Sequence, residues 1–219
     1  MLKGKLIVFE GADGSGKTTQ ARLLVNFLKI KKIPNSYISF PRYEDSMWGK
    51  QIARYLHGEF GKLNEVDPYL ASMLYAGDRM SASSLVKEWI REGKFVVCNR
   101  YIGSNIAHMA AKLRSQSEKS NFIKWLEEFE YEENRIPKED LAIFLYVPVE
   151  VSRKLMSNRK LDIHEADLWY LTKVLKIYQS LVSSRNNWVR VDCTKGGKIL
   201  TKDEIHKQVL EALKKNKFL

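Results

Sequence analysis

Short apolar runs of strand length alternate along the chain with longer stretches whose apolar residues recur every three or four positions. Lys5 to Glu10 (KLIVFE) is the first such run, and TTQARLLVNFLKIKK after it carries its apolar residues at helical spacing. SYISF is a second strand, stopped by Pro41, which restricts the backbone of the residue before it. From Asp67 to Glu92 the pattern is that of one long helix, with Asp67 as N-cap and Pro68 in its first position. Then come FVVC, a helical segment near Ser117 to Glu133, LAIFLYV, a helix from about Asp167 to Ser184, WVRVD, and a last helix from about Lys202. Five β runs separated mostly by helices predict an α/β fold, a five-stranded parallel sheet with helices on both faces. No repeat or low-complexity linker interrupts the pattern, so residues 1–219 are expected to form one domain.

Composition narrows the function classes. A chain of 219 residues, 44% hydrophobic and 29% charged, has the make-up of an ordinary globular protein with a substantial core. Cys98 and Cys193 form no CxxC pair, which argues against a disulfide framework or a zinc site and for a reducing compartment. The opening MLKGKLIVFEG is too short an apolar run for a signal sequence or a membrane span, so a cytoplasmic protein is expected. A net charge of +11, from 37 Lys+Arg against 26 Asp+Glu, suits a phosphorylated small molecule as well as nucleic acid. Part of it is solvated surface, since Lys31-Lys32 and Lys214-Lys215 fall at helix ends. No RNP, zinc-finger or helix-turn-helix signature is present, so nucleic acid is not the expected partner.

One motif carries chemistry by itself. Gly11-Ala12-Asp13-Gly14-Ser15-Gly16-Lys17-Thr18, followed by Thr19, fits G-x-x-x-x-G-K-[ST] between an apolar strand and an amphipathic helix. This is a P-loop, and the fold is therefore a P-loop NTPase fold. Its glycines let backbone N–H groups turn inward around phosphate oxygens, and the helix N-terminus adds its positive dipole end. Lys17 supplies a charge to the β- and γ-phosphates, and the Thr18 hydroxyl is a ligand for Mg²⁺. ATP or GTP with Mg²⁺ follows, and the Asn-Lys-x-Asp signature of a guanine site is missing.

Three further clusters extend the motif: Phe40-Pro41-Arg42-Tyr43, then Tyr75-Ala76-Gly77-Asp78-Arg79, then Asn99-Arg100-Tyr101 with Ser104 and Asn105 beyond. Taken alone, Tyr75 and Arg79 share one helix face and read as a packed tyrosine beside an arginine tied to a carboxylate. With Arg100 at the carboxyl end of a central strand, where open α/β sheets place ligand-binding residues, they read as a base pocket. In this order behind GADGSGKTTQ, the clusters resemble the thymidylate kinase family over nearly the whole chain. The resemblance implies an ATP-dependent nucleoside monophosphate kinase that phosphorylates dTMP, with Mg²⁺ as cofactor and a homodimeric state. It implies that Phe40 and Pro41 pack on the base beside Tyr43, that Tyr75 stacks on it, and that Arg79 and Asn105 bond it. It puts Arg42 and Arg100 on the acceptor phosphate and Asp13 on the sugar hydroxyl near the metal.

The segment 152–165 occupies the family's lid, where Arg153 and Arg159 are candidates for the charge on the transferring phosphoryl. The lid is shorter than in many relatives, which leaves the division among Arg153, Arg159 and Lys160 open. Asp162 and Glu165 match the family's acidic pair after the lid; Glu165 is a metal or sugar ligand or else a helix-capping carboxylate. The loop containing Cys193 and Thr194 lines adenine in the family. His108 stands where many relatives carry a tyrosine that crowds the ribose 2′ position. Asn99 stands where the family has an aspartate beside Mg²⁺, which implies a working kinase with a raised Mg²⁺ requirement. Two alternatives remain: another nucleotide or nucleoside kinase of the same fold, and a nucleotide-binding regulator without transferase activity.

Overall fold

The computed structural model describes residues 4–155, 163–164 and 167–219. Five parallel strands form the sheet, β1 (Lys5–Glu10), β2 (Asn35–Ser39), β3 (Phe95–Asn99), β4 (Leu141–Tyr146) and β5 (Trp188–Asp192), in the order β2-β3-β1-β4-β5. The apolar runs read from the sequence are these strands. The central strands β1, β3 and β4 are short, hydrophobic and buried on both faces, as a parallel sheet covered by helices requires, while the edge strands β2 and β5 are only partly buried.

Alternation along each strand decides which core a side chain joins. Leu6, Val8, Val96, Cys98, Ala142 and Phe144 point to one face. Ile7, Phe9, Val97, Leu141, Ile143 and Leu145 point to the other, where α1 (Lys17–Ile30) and α8 (Lys202–Lys215) close over them with Leu24, Leu28, Val209 and Leu213. The first face is covered by α3 (Pro68–Arg91), α4 (Ile102–Ala110), α5 (Gln116–Glu127) and α7 (Leu168–Ser184), with α2 (Met47–Leu56) beside α3. Each large aliphatic side chain fully buried this way stabilises the fold by about 1.5–3 kcal/mol.

The helix boundaries follow their caps. The Asp67 side chain accepts from the N–H groups of Tyr69 and Leu70, and Pro68 occupies N1, where a missing N–H costs nothing. Ser115 with Glu118, and Thr201 with Glu204, form capping boxes at α5 and α8. The helix expected to run to Glu133 changes at Glu128 into a π-helical turn, Glu128–Glu133. The sequence reading missed α2, α4 and the short α6 (Val149–Leu155), and also a hairpin of β6 (Thr194–Lys195) and β7 (Lys198–Ile199). These elements are too short for periodicity to separate them from loops. Among the described residues no helix is long and apolar enough to cross a membrane.

Register brings the site together. Phe9 and Ser39 both lie opposite Asn99, so β1, β2 and β3 end at one level and deliver Glu10, Phe40 and Arg100 to the same edge of the sheet.

Candidate functional site

Two cavities open at that edge, and one ion pair separates them. The first is lined by Asp13, Gly14, Gly16, Lys17, Thr18, Thr19, Asn99 and Arg100, with Leu155 of α6 above. The second is lined by Phe40, Pro41, Tyr43, Tyr75, Arg79, Asn105 and His108, and shares Asp13 and Arg100 with the first. The Arg100 guanidinium is bonded to the Asp13 carboxylate, so the shared wall carries both charges.

The first cavity is built by the backbone. Gly16 precedes α1 in the left-handed region (φ 85°) and offers no capping side chain, which leaves the first-turn N–H groups of the helix to a ligand. Lys17 lies in the loop with its Nζ 2.7 Å from the Ala12 carbonyl oxygen. N–H groups at a helix start beside a lysine are suited to phosphate oxygens. The Ser152 hydroxyl of α6 donates to the Asp13 carbonyl, tying the root of the lid to the P-loop. Arg153 follows it, half-buried; Arg159, Lys160, Asp162 and Glu165 lie outside the described residues.

Asn99 lines the first cavity beside Thr18. Its Nδ2 donates to Ser39 Oγ at 2.9 Å and to Thr18 Oγ1 at 3.2 Å. Its Oδ1 is buried with no hydrogen-bond partner, an acceptor left over beside the P-loop threonine. Among the described residues no group of three His, Cys, Asp or Glu side chains converges. A sparse oxygen set of hydroxyl and amide fits Mg²⁺, which keeps several waters and takes most other ligands from phosphates. Asp13 is committed to Arg100 in this arrangement. Burial works to raise its pKa, but the charges of Arg100 and Lys17 outweigh that and hold it well below the usual carboxylate range.

The second cavity is built by side chains from many segments. Tyr75 and Arg79 lie on its wall from α3, one turn apart, as their spacing requires. Arg79 is 3% exposed and bidentate to Glu130, Nε to Oε2 at 2.7 Å and Nη2 to Oε1. The carboxylate-paired reading of that arginine holds, and its remaining nitrogen, Nη1, lies 3.4 Å from the Tyr101 carbonyl oxygen beside the cavity. Glu130 belongs to the π-helical turn, and neither its burial nor its partner was legible in the sequence. Asn105 joins the same cluster, with Nδ2 3.2 Å from the Ser72 carbonyl oxygen and its buried Oδ1 unpaired.

Arg42 departs from expectation. It does not line the cavity, because buried Asp78 holds its backbone N–H at 2.8 Å and its Nε at 3.0 Å, while Nη2 reaches Ser81. A buried aspartate needs a cation, and Arg42 supplies it. Cys193 is likewise placed in the core against α8, its thiol pushed up to about 12 by burial, and neither it nor Thr194 lines the P-loop cavity.

His108 and His164 close the floor. Their rings stack at 5.3 Å, His164 Nε2 lies 3.0 Å from the Tyr55 hydroxyl, and His108 Nε2 is buried without a partner. Burial, then the positive charge of Arg100, moves the His108 pKa from 6.5 down to about 3. His164 is also driven well down, first by burial and then by His108. Both imidazoles are neutral in the folded protein at neutral pH.

Comparison with known proteins agrees with this geometry. A family model described as thymidylate kinase matches residues 9–205. The chain is 33% identical over 216 residues to a probable thymidylate kinase of Methanocaldococcus jannaschii, covering 98% of each chain. It is 29% identical to a thymidylate kinase of Plasmodium falciparum, covering 98% of this chain and 92% of that one. A solved thymidylate kinase from Candida albicans superposes with a TM-score of 0.76 at 27% identity, over 99% of this chain and 93% of the other.

Proposed function

The chain belongs to the thymidylate kinase family, and from that premise we propose how its residues carry the γ-phosphoryl of ATP to dTMP, giving ADP and dTDP. It is an ATP-dependent nucleoside monophosphate kinase. The observation that carries the residue assignment is the shared wall: Asp13 and Arg100 line both cavities, so a phosphoryl passing between them travels along the arginine.

Transfer between phosphate oxygens demands alignment and positive charge more than covalent help. Lys17 and the N–H groups at the start of α1 hold the donor phosphates. Arg100, fixed by Asp13, holds the acceptor phosphate at the mouth of the second cavity. Phe40 and Tyr75 supply flat apolar walls for a base, and Arg79 Nη1 and Asn105 supply polar atoms for its edge. Thr18 and Asn99 would hold Mg²⁺, which when bound would offset charge on the phosphate oxygens. Arg153 brings a cation over the P-loop from the lid, completing the site as the lid excludes water. Arg42, held by Asp78 between the cavity-lining Pro41 and Tyr43, is the further candidate for the acceptor phosphate.

A second copy of the chain is the proposed partner. Leu70, Met73 and Met80 are exposed along α3, three and seven positions apart. One self-complementary stripe suits a two-fold interface. Light scattering across a dilution series tests it, and a monomer at every concentration overturns it.

Initial rates with ATP and a panel of monophosphates and nucleosides, with products identified directly, test the whole reading. dTMP is expected among the best acceptors. A different preferred acceptor would reassign the substrate within the fold, and ATP hydrolysis with no transfer would leave a regulator.

A further inference from the structure

We infer that Glu10 is a positioning residue for the acceptor-phosphate arginine, acting on Arg100 through the Ser104 hydroxyl; this rests on the reading of Arg100 given above. Glu10 is the last residue of β1, is 0% exposed, and among the described residues takes part in no ion pair. A carboxylate buried with no cation on it is tolerated only where donors meet its oxygens. Four do. The N–H groups of Tyr101 and Ser104 reach Oε1 at 2.9 and 3.1 Å, and the hydroxyls of Ser104 and Tyr178 reach Oε2 at 2.5 and 3.2 Å.

The two oxygens have different tasks. Oε1 caps α4, whose N-cap residue Tyr101 supplies no side-chain cap. Gly103 permits the close approach, since a Cβ there would stand 2.9 Å from Oε1 and 2.5 Å from the Trp188 ring. Oε2 takes the single proton of the Ser104 hydroxyl. That leaves the hydroxyl's lone pairs outward, and one accepts Arg100 Nη1 at 3.1 Å. Asp13 holds Nη2 of the same guanidinium, so both terminal nitrogens are fixed. Arg100 itself has φ 63°, a conformation that a residue with a Cβ keeps only when its surroundings impose it. Helix capping alone would use Oε1 only; the second oxygen serves the arginine.

Steady-state kinetics of the full chain with ATP and dTMP, for Ser104→Ala, Glu10→Gln, Arg100→Ala and the Arg100→Ala/Ser104→Ala pair, provide the test. Ser104→Ala keeps Glu10 and both helix-capping bonds, so it reports on positioning even if Glu10→Gln folds poorly. Ser104→Ala and Glu10→Gln are expected to raise KM for dTMP on the order of ten-fold, with KM for ATP unmoved. Adding Ser104→Ala to Arg100→Ala is expected to change nothing further, because the hydroxyl acts through the missing guanidinium. If Arg100→Ala weakens dTMP while Ser104→Ala leaves it alone, or moves both KM values together, the inference falls and the Arg100 reading stands. If Arg100→Ala leaves dTMP kinetics intact, both fall.

Discussion

The P-loop and the acceptor cavity lie on opposite sides of the Asp13–Arg100 pair and are built in opposite ways. The first comes from consecutive residues, and what it offers a ligand is chiefly backbone N–H at the start of α1. The second draws Phe40, Tyr75, Arg79, Arg100, Asn105, His108 and His164 from separate segments and offers side chains held by other side chains. A backbone-built site tolerates change around it. A side-chain site depends on every buried partner that fixes its walls.

Glu130→Ala is the strongest way to break this contrast, because it leaves the Arg79 guanidinium buried without its carboxylate. The expected cost is about 3–5 kcal/mol of folding stability, read from denaturant midpoints. Replacing both partners with apolar residues should recover much of it, while base selection is lost. An unfolding midpoint that Glu130→Ala does not move would mean that this wall is not held as described.

Lys17→Ala addresses the other side. Removing one preorganised cation from the donor phosphates should lower kcat by about 10²–10³-fold, with stability and dTMP binding retained. Calorimetry with dTMP alone checks the second half; lost dTMP binding would mean the two cavities are not separable.

Asn99 lines only the P-loop cavity and sharpens the contrast by charge. Asn99→Asp adds a carboxylate beside Thr18 and is expected to lower the Mg²⁺ concentration needed for half-maximal rate by about 10-fold. Titrating Mg²⁺ in rate assays, and in nucleotide binding followed by calorimetry, measures the shift; an unchanged or raised requirement would remove Asn99 from the metal site.

The smallest effect concerns acid. His108 and His164 have folded pKa values below the unfolded value, so the unfolded chain binds more protons once pH falls below about 6.5. Stability is therefore fully present above that value and is lost on acidification, down to about pH 3 for His108. From about pH 7 to about pH 6 the loss should stay under about 1 kcal/mol for each histidine. His108→Gln should flatten the dependence seen in urea unfolding at the two pH values, and an unaltered slope would place its titration elsewhere. Asp13 adds its own loss once pH falls below its unfolded value near 3.8, because its folded pKa is depressed.

The sequence by itself determined the five strands, the longer covering helices α1, α3, α5, α7 and α8, and the P-loop. Each is written in a local pattern: KLIVFE before GADGSGKT, Asp67-Pro68 before a 24-residue helix, apolar runs of strand length. It also exposed Tyr75, Arg79, Arg100 and Asn99 as side chains with chemistry, because they interrupt apolar patterns at strand ends or on one helix face. Tertiary structure alone decided what each of them touches. Glu130 meets Arg79 through a π-helical turn, Asp78 holds Arg42, Glu10 reaches Ser104, and His164 stacks on His108. Residues 51, 36, 94 and 56 positions apart meet in these contacts. Local periodicity carries no information about pairs so distant. Burial selects them, because a charged group taken from water must find a partner wherever the fold supplies one.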